Sequence, residues 1–265
     1  NMSMRSNSFS LGFVVLSIGG GIAASGATVV VTPSNPLGWS AQNLRGDGSA
    51  SITNTYANNG TGSLQFSGSS DSPSYKADFV RANTGLNLLS TMTSLSIDLY
   101  RNSSSSAAGH LAPAVRLLVD NGQATDRYSY LIWEPVYNGV NTVTPNQWNT
   151  HNLMGGNFWQ RAFKTIGGGQ TVEIYNRSLS DWLSGDTVVD GGGVTSNVVG
   201  PNAVVLGYEI GIGSGWTGSF DGAADMFKIG FDGDDTTFNF EPIPAPGALA
   251  LLGVGGLVAG RRRRN

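Results

Sequence analysis

Ser94-Leu95-Ser96-Ile97-Asp98-Leu99 alternates apolar and polar residues without a break. A strand turns successive side chains to opposite faces, so Leu95, Ile97 and Leu99 would enter a core while Ser94, Ser96 and Asp98 meet water. The same logic extends outward to Ala114–Val119, Tyr128–Trp133, Val204–Ile212, Met226–Phe231 and Thr236–Phe240. On the other side it reaches Thr28–Thr32, Ser49–Tyr56, Ser63–Phe66 and Tyr75–Val80. Asn58-Asn59-Gly60, between two of these runs, suits a hairpin turn because Asn and Gly tolerate positive φ. Only Ser178–Ser184 reads as helical, with Ser178 or Ser180 as its cap. About ten strands and one short helix predict an all-β sandwich of two sheets, a jelly roll of the lectin or carbohydrate-binding-module kind. No repeat of fixed period supports a β-solenoid.

Composition agrees with a turn-rich β protein. The chain has 265 residues, of which 38 are Gly and only 12% are charged. Cysteine is absent, which excludes disulfides, thiolate metal sites and cysteine nucleophiles. His110 and His151 are the two histidines, too few for a three-histidine zinc site. Five of the 15 basic residues, Arg5 and Arg261 to Arg264, lie at the ends, leaving ten against 18 acidic residues, a net of −8 for the middle. An acidic body argues against nucleic acid as a partner.

Both ends read as addresses. Arg5, the apolar stretch Leu11–Ala24 and the small residues Ser25-Gly26-Ala27 have the layout of a secretory signal, with cleavage expected after Ala27 and Ser25 as the alternative. The run Gly19–Gly21 weighs against a buried N-terminal helix. At the other end, Glu241-Pro242-Ile243-Pro244-Ala245-Pro246 is followed by GALALLGVGGLVAG and then Arg261-Arg262-Arg263-Arg264. As a helix of about 14 residues this stretch reaches ~21 Å, short of a ~30 Å hydrocarbon core, so transient anchoring fits better than permanent spanning. The arginines would stay on the cytoplasmic side.

The tail resembles the PEP-CTERM sorting signal of Gram-negative bacteria, in a form with Ala245 where the strict motif has Glu. The resemblance implies recognition of Pro244, Ala245 and Pro246 by an exosortase-like enzyme, with Arg261, Arg262, Arg263 and Arg264 as the basic end. It covers about the last 24 residues. Gly213-Ser214-Gly215-Trp216, Gly222-Ala223-Ala224-Asp225, Ile229-Gly230, Trp133-Glu134-Pro135 and Gln147-Trp148-Asn149 resemble landmarks of sandwich domains found in exported proteins of this kind. The expected organisation is a signal peptide at 1–27, a β-sandwich at 28–242 and a sorting segment, both end segments being apolar helices, at 243–265. The implied partners are the export machinery, the sorting enzyme, a membrane through the C-terminal segment and an extracellular polysaccharide.

Chemistry in the middle domain reduces to three candidates. Sugar sites stack pyranose faces on flat aromatics with amides and carboxylates nearby. Trp159, in a loop-like stretch, leads the set, with Trp133, Tyr137 and Trp148; Trp182 reads as a core anchor. Asp221, Asp225, Asp232, Asp234 and Asp235 cluster near the end of the domain, and Asp232, Asp234 and Asp235 offer closely spaced carboxylates of the kind calcium takes, though outside any EF-hand pattern. No other cofactor is implied. Hydrolysis of glycans would need two carboxyls across one cleft, and Glu134 and Glu209 are the candidates, unpaired in sequence. No nucleophile elbow or phosphate loop is present. The sequence therefore reads as a non-catalytic surface or matrix protein that binds polysaccharide or another surface partner. A jelly-roll hydrolase and a purely structural biofilm component are the alternatives.

Overall fold

The computed structural model describes residues 26–69, 74–122, 127–163, 170–184, 189–190, 193–194 and 199–243. The expected signal segment up to Ser25, the sorting residues Pro244, Ala245, Pro246 and Arg261 to Arg264, and the two apolar end helices lie outside them. Among the described residues no helix is long and apolar enough to cross a membrane.

Sixteen strands follow in chain order: β1 (Ala27–Val31), β2 (Trp39–Arg45), β3 (Ser49–Thr53), β4 (Ser63–Gly68), β5 (Lys76–Leu88), β6 (Met92–Arg101), β7 (Ala114–Asp120), β8 (Tyr128–Trp133), β9 (Trp148–Asn152), β10 (Trp159–Phe163), β11 (Gln170–Ile174), β12 (Val189–Asp190), β13 (Gly193–Val194), β14 (Val204–Ile212), β15 (Phe220–Phe231) and β16 (Asp234–Phe240). Among the described residues one α-helix, α1 (Leu179–Ser184), stands between β11 and β12.

Two seven-stranded sheets carry the fold. In the first, the long β15 lies at the centre. β6 and then β9 flank one side; the other side is shared end to end by β4, backed by β3, and β16, backed by β1. The second has the order β11-β10-β8-β7-β14-β5-β2. Every ladder is antiparallel except that of β1 with β16. The sheets face each other through one apolar layer, as alternation in each strand requires. Leu95, Ile97 and Leu99 are buried as predicted. Trp39 of the second sheet stacks on Phe79 at 5.7 Å and meets Phe238 and Phe240 of the first edge-on at 5.4 Å. Each such ring contributes ~1.5–3 kcal/mol by leaving water.

The short helix forms where Ser178 predicts it. Ser178 Oγ accepts the Asp181 backbone N–H at 3.3 Å, and Asp181 Oδ2 accepts the Ser178 N–H at 2.8 Å, a reciprocal cap. Trp182, fully buried, donates its indole N–H to the Phe158 carbonyl at 2.9 Å.

Two expectations change. The strand count exceeds ten because β2 and β9 to β13 carry too few apolar residues for a period of two to stand out. Asn58-Asn59-Gly60 does join the antiparallel pair β3 and β4, as a hairpin connection should, but not as a tight turn. It belongs to a longer connection between β3 and β4, laid over the outer face of the first sheet by bonds from Asn58 to Asp98 and from Thr61 to Glu241.

Candidate functional site

The outer face of the second sheet carries a groove of about 530 Å³. It crosses from β2 to β10 over six neighbouring strands, five spacings of ~4.8 Å, or ~24 Å in all.

Its floor is ionic. Arg116 of β7 and Glu209 of β14 are directly paired across the ladder and bonded through Nη1 and Oε1. The same Nη1 donates at 2.9 Å to Oδ1 of Asp78 on β5, one strand further on. That reach requires Gly211, which pairs with Asp78. A Cβ on Gly211 would sit 2.2 Å from Asp78 Oδ1 and 2.7 Å from Arg116 Nη1. Lys76 pairs with Asp78 and stands 3.9 Å from Glu209. Asn43 donates to Asp78 Oδ2 at 2.9 Å, and the Tyr130 hydroxyl donates to Glu209 Oε2 at 3.1 Å. Every carboxylate oxygen of the pair thus has a donor, as buried charge demands. Asp78 and Glu209 are 0% and 3% exposed. Burial pushes Glu209 above the usual carboxylate range despite Arg116. It pulls Lys76 below the usual ammonium range, with Arg116 adding to the effect. Burial and the Glu209 charge raise Tyr130.

One wall is aromatic. Trp159 projects from β10 on the groove side, its indole N–H donated to Glu134 Oε2 at 2.9 Å. Tyr175 stacks on Trp159 with ring centres 5.2 Å apart and planes 20° from parallel, and Tyr137 lies 5.6 Å beyond Tyr175. Tyr137 and Tyr175 are both exposed. Arg161 and Phe163 continue along β10, and Asn43, Arg45, Ser214 and Trp216 close the opposite end.

The sequence-predicted aromatics therefore separate. Trp159 lines the groove and Tyr137 extends its wall. Trp133 is 2% exposed and turned into the core, where it tilts on His151 at 5.2 Å, so it does not join them. Trp148 sits on β9 of the other sheet, beside Tyr100 at 5.5 Å, its indole N–H bonded to the Ala57 carbonyl. Asp232 and Asp234 flank Gly233 at the β15–β16 hairpin and line a separate hollow with Arg81, Tyr208 and Phe238. Asp235 pairs with Lys228 and accepts Ser94 Oγ at 2.7 Å. Among the described residues no group of three or more His, Cys, Asp or Glu is arranged to hold a metal. Glu134 and Glu209 do share the groove. Sequence reasoning missed Asp78, Arg116 and Tyr175. The available signal for Arg116 was a lone charge inside the apolar run Ala114–Val119.

No protein-family model matches the chain, and no characterised protein matches it in sequence. Among solved structures, it is similar to a family 11 carbohydrate-binding module from Clostridium thermocellum in complex with a β-1,3-1,4-mixed-linked tetrasaccharide. That match has 9% identity and a TM-score of 0.36, covering 78% of this chain and 92% of that one. A second similar structure is the lectin UEA-II complexed with galactose, with 9% identity and a TM-score of 0.29, covering 73% of this chain and 93% of that one.

Proposed function

We propose that this chain is a non-catalytic binding protein whose groove takes an extended, uncharged polysaccharide, and that the sandwich is a jelly roll. The observation that carries the reading is the juxtaposition of Trp159, backed by Tyr175, with a polar floor whose donors and acceptors are already fixed. Apolar sugar faces would lie on the ring while hydroxyls meet the floor and rim. The lining holds four cationic and three acidic side chains, close to charge balance, which favours a neutral ligand over a polyanion. A groove ~24 Å across six strands suits several linked sugars rather than one.

Titrating the full chain with soluble neutral glucans, xylans and galactans tests this. Trp159→Ala is expected to weaken binding by at least ~tenfold, ~1.4 kcal/mol. Trp148→Ala, on the other sheet, should leave it unchanged. Binding to none of the polymers, or equal losses in both variants, would sink the proposal.

A second reading has one observation in its favour: Glu134 and Glu209 line the same groove, as a hydrolase would need. Against it, Glu209 has both oxygens engaged, by Arg116 and by Tyr130. Release of reducing ends from a bound polymer, abolished by Glu209→Gln, would establish hydrolysis instead.

We further propose that the protein is exported to the cell surface or extracellular matrix and sorted through Pro244, Ala245, Pro246 and Arg261 to Arg264. Fused to a reporter in a host with an exosortase-like enzyme, the tail should direct processing, and replacing the four arginines should block it. A reporter left uncut in both forms would refute the sorting role.

A further inference from the structure

The ladders on one side of β15 leave a seam. β4 pairs with β15 up to Ala224, and β16 begins pairing at Phe227. Between them lie Asp225 and Met226, the latter with φ of +49°. Asp225 is fully buried and fills the seam, its Oδ1 accepting the Phe240 N–H at 2.9 Å. Asn239 and Glu241 follow on the same side of β16, 8% and 2% exposed.

The connection between β3 and β4 roofs these three residues. Asn59 N–H reaches Asp225 Oδ2 at 3.5 Å, and the Asn59 carbonyl accepts Asn239 Nδ2 at 2.7 Å. Thr61 donates its N–H and hydroxyl to Glu241 Oε2 at 2.8 and 2.7 Å. Two buried oxygens are left with no donor: Asn239 Oδ1 and Glu241 Oε1. The Asn239 amide cannot be turned to solve this, because Oδ1 would then face the Asn59 carbonyl. Gly60 lies against the second orphan; a Cβ there would be 1.7 Å from Glu241 Oε1.

Charge makes the shortage worse. Asp98, paired across the ladder with Asp225, adds a third carboxylate, whose oxygens accept Asn58 and Thr150. Lys228, the nearby cation, is paired with Asp235. None of the ion pairs among the described residues includes Asp225 or Glu241. Unpaired buried acceptors beside uncompensated carboxylates are costly.

We propose that a hard divalent cation of the calcium class binds beneath the Asn58–Thr61 loop, held by Asp225, Glu241 Oε1 and Asn239 Oδ1 with backbone carbonyls and water completing the shell. The donor set is all oxygen, mixing carboxylate and amide, as such ions prefer. This site lies on the sheet opposite the groove and stands independently of the polysaccharide reading.

The test is calorimetric titration of the chelator-treated full chain with Ca²⁺ and, in parallel, Mg²⁺. Uptake of one Ca²⁺ per chain, with a melting temperature that climbs with its concentration, is the expected result. Asn239→Leu and Gly60→Ala should each weaken uptake at least ~tenfold, and Glu241→Gln, which keeps the side chain's shape, provides the same check if either variant misfolds. Asp234→Asn should bind as before. The proposal is overturned if millimolar Ca²⁺ and Mg²⁺ are both ignored, or if Asp234→Asn abolishes uptake while Asn239→Leu retains it. A chain that is stabilised by acid and unaffected by calcium would equally overturn it, since a proton would then be the occupant.

Discussion

Arg116→Met will lower the unfolding free energy by roughly 3–5 kcal/mol. The guanidinium is the group that lets Asp78 and Glu209, both buried, lie within reach of one nitrogen on the groove floor. Remove it and two carboxylates remain in low dielectric with Lys76 as the cation still in ion-pair reach, while Tyr130 and Asn43 supply neutral donors. The loss measures an orphaned charge pair, not the net worth of the intact network, which desolvation largely offsets. Adding Asp78→Asn and Glu209→Gln to the same chain should therefore recover most of it. Urea unfolding of the single and triple variants decides the matter. A single-variant loss below ~1 kcal/mol, or a triple variant no more stable than the single, would show that the floor is solvated rather than electrostatically coupled.

In the presence of chelator, one contribution to the chain's stability will fade as pH rises from about 4 to about 7. Asp225 is responsible. Burial pushes its carboxyl up to about 7, against the pull of backbone N–H groups from Phe240, Met226 and Asn59, and the Glu241 charge adds to the rise. The unfolded chain releases this proton near 3.8; the folded chain keeps it until about 7. Between those values the folded state holds the extra proton, so stability falls with rising pH and levels off above the folded value. The magnitude is a few kcal/mol. Glu209, also raised by burial, contributes with the same sign, and half-buried Asp120, lowered by its bond from Arg127, contributes with the opposite one. The diagnostic quantity is thus the difference between the chain and Asp225→Asn, measured by thermal melts from acid to mildly alkaline buffer. That difference should shrink when calcium is supplied. A difference that does not vary with pH would remove Asp225 from the account.

The fold was legible wherever one face of a strand is apolar and the other polar. Val204–Ile212 has the bounds its alternation predicts. The site was harder because its strands violate that rule. In Trp159–Phe163 the polar Gln160 faces inward, bonded to buried Ser129 at 2.9 Å, while Trp159 and Phe163 face the groove. Parity of hydrophobicity therefore points the wrong way at the residue that matters most. In Tyr128–Trp133 one parity is Tyr, Tyr and Ile and the other Ser, Leu and Trp, so the order of residues does not distinguish the buried Trp133 from the outward Tyr130. The Asn58-Asn59-Gly60 turn misleads for another reason. Its geometry is decided by Asp98 and Glu241, partners 40 and 180 residues away in sequence, and local propensity carries no information about them. Tyr175 stacks on Trp159 only because β11 folds back on β10.

The parallel ladder of β1 with β16 bears on mechanics. The chain enters β1 at Ala27, beside Thr236, and leaves β16 at Phe240, beside Val31. Tension applied between the start of β1 and the end of β16 would pull the two neighbouring strands in opposite directions along their length. The ladder is then loaded in shear, its bonds strained together, whereas strands peeled from one end would open one bond at a time. Pulled between those two points, a domain wired this way would resist unfolding far better than its equilibrium stability alone suggests.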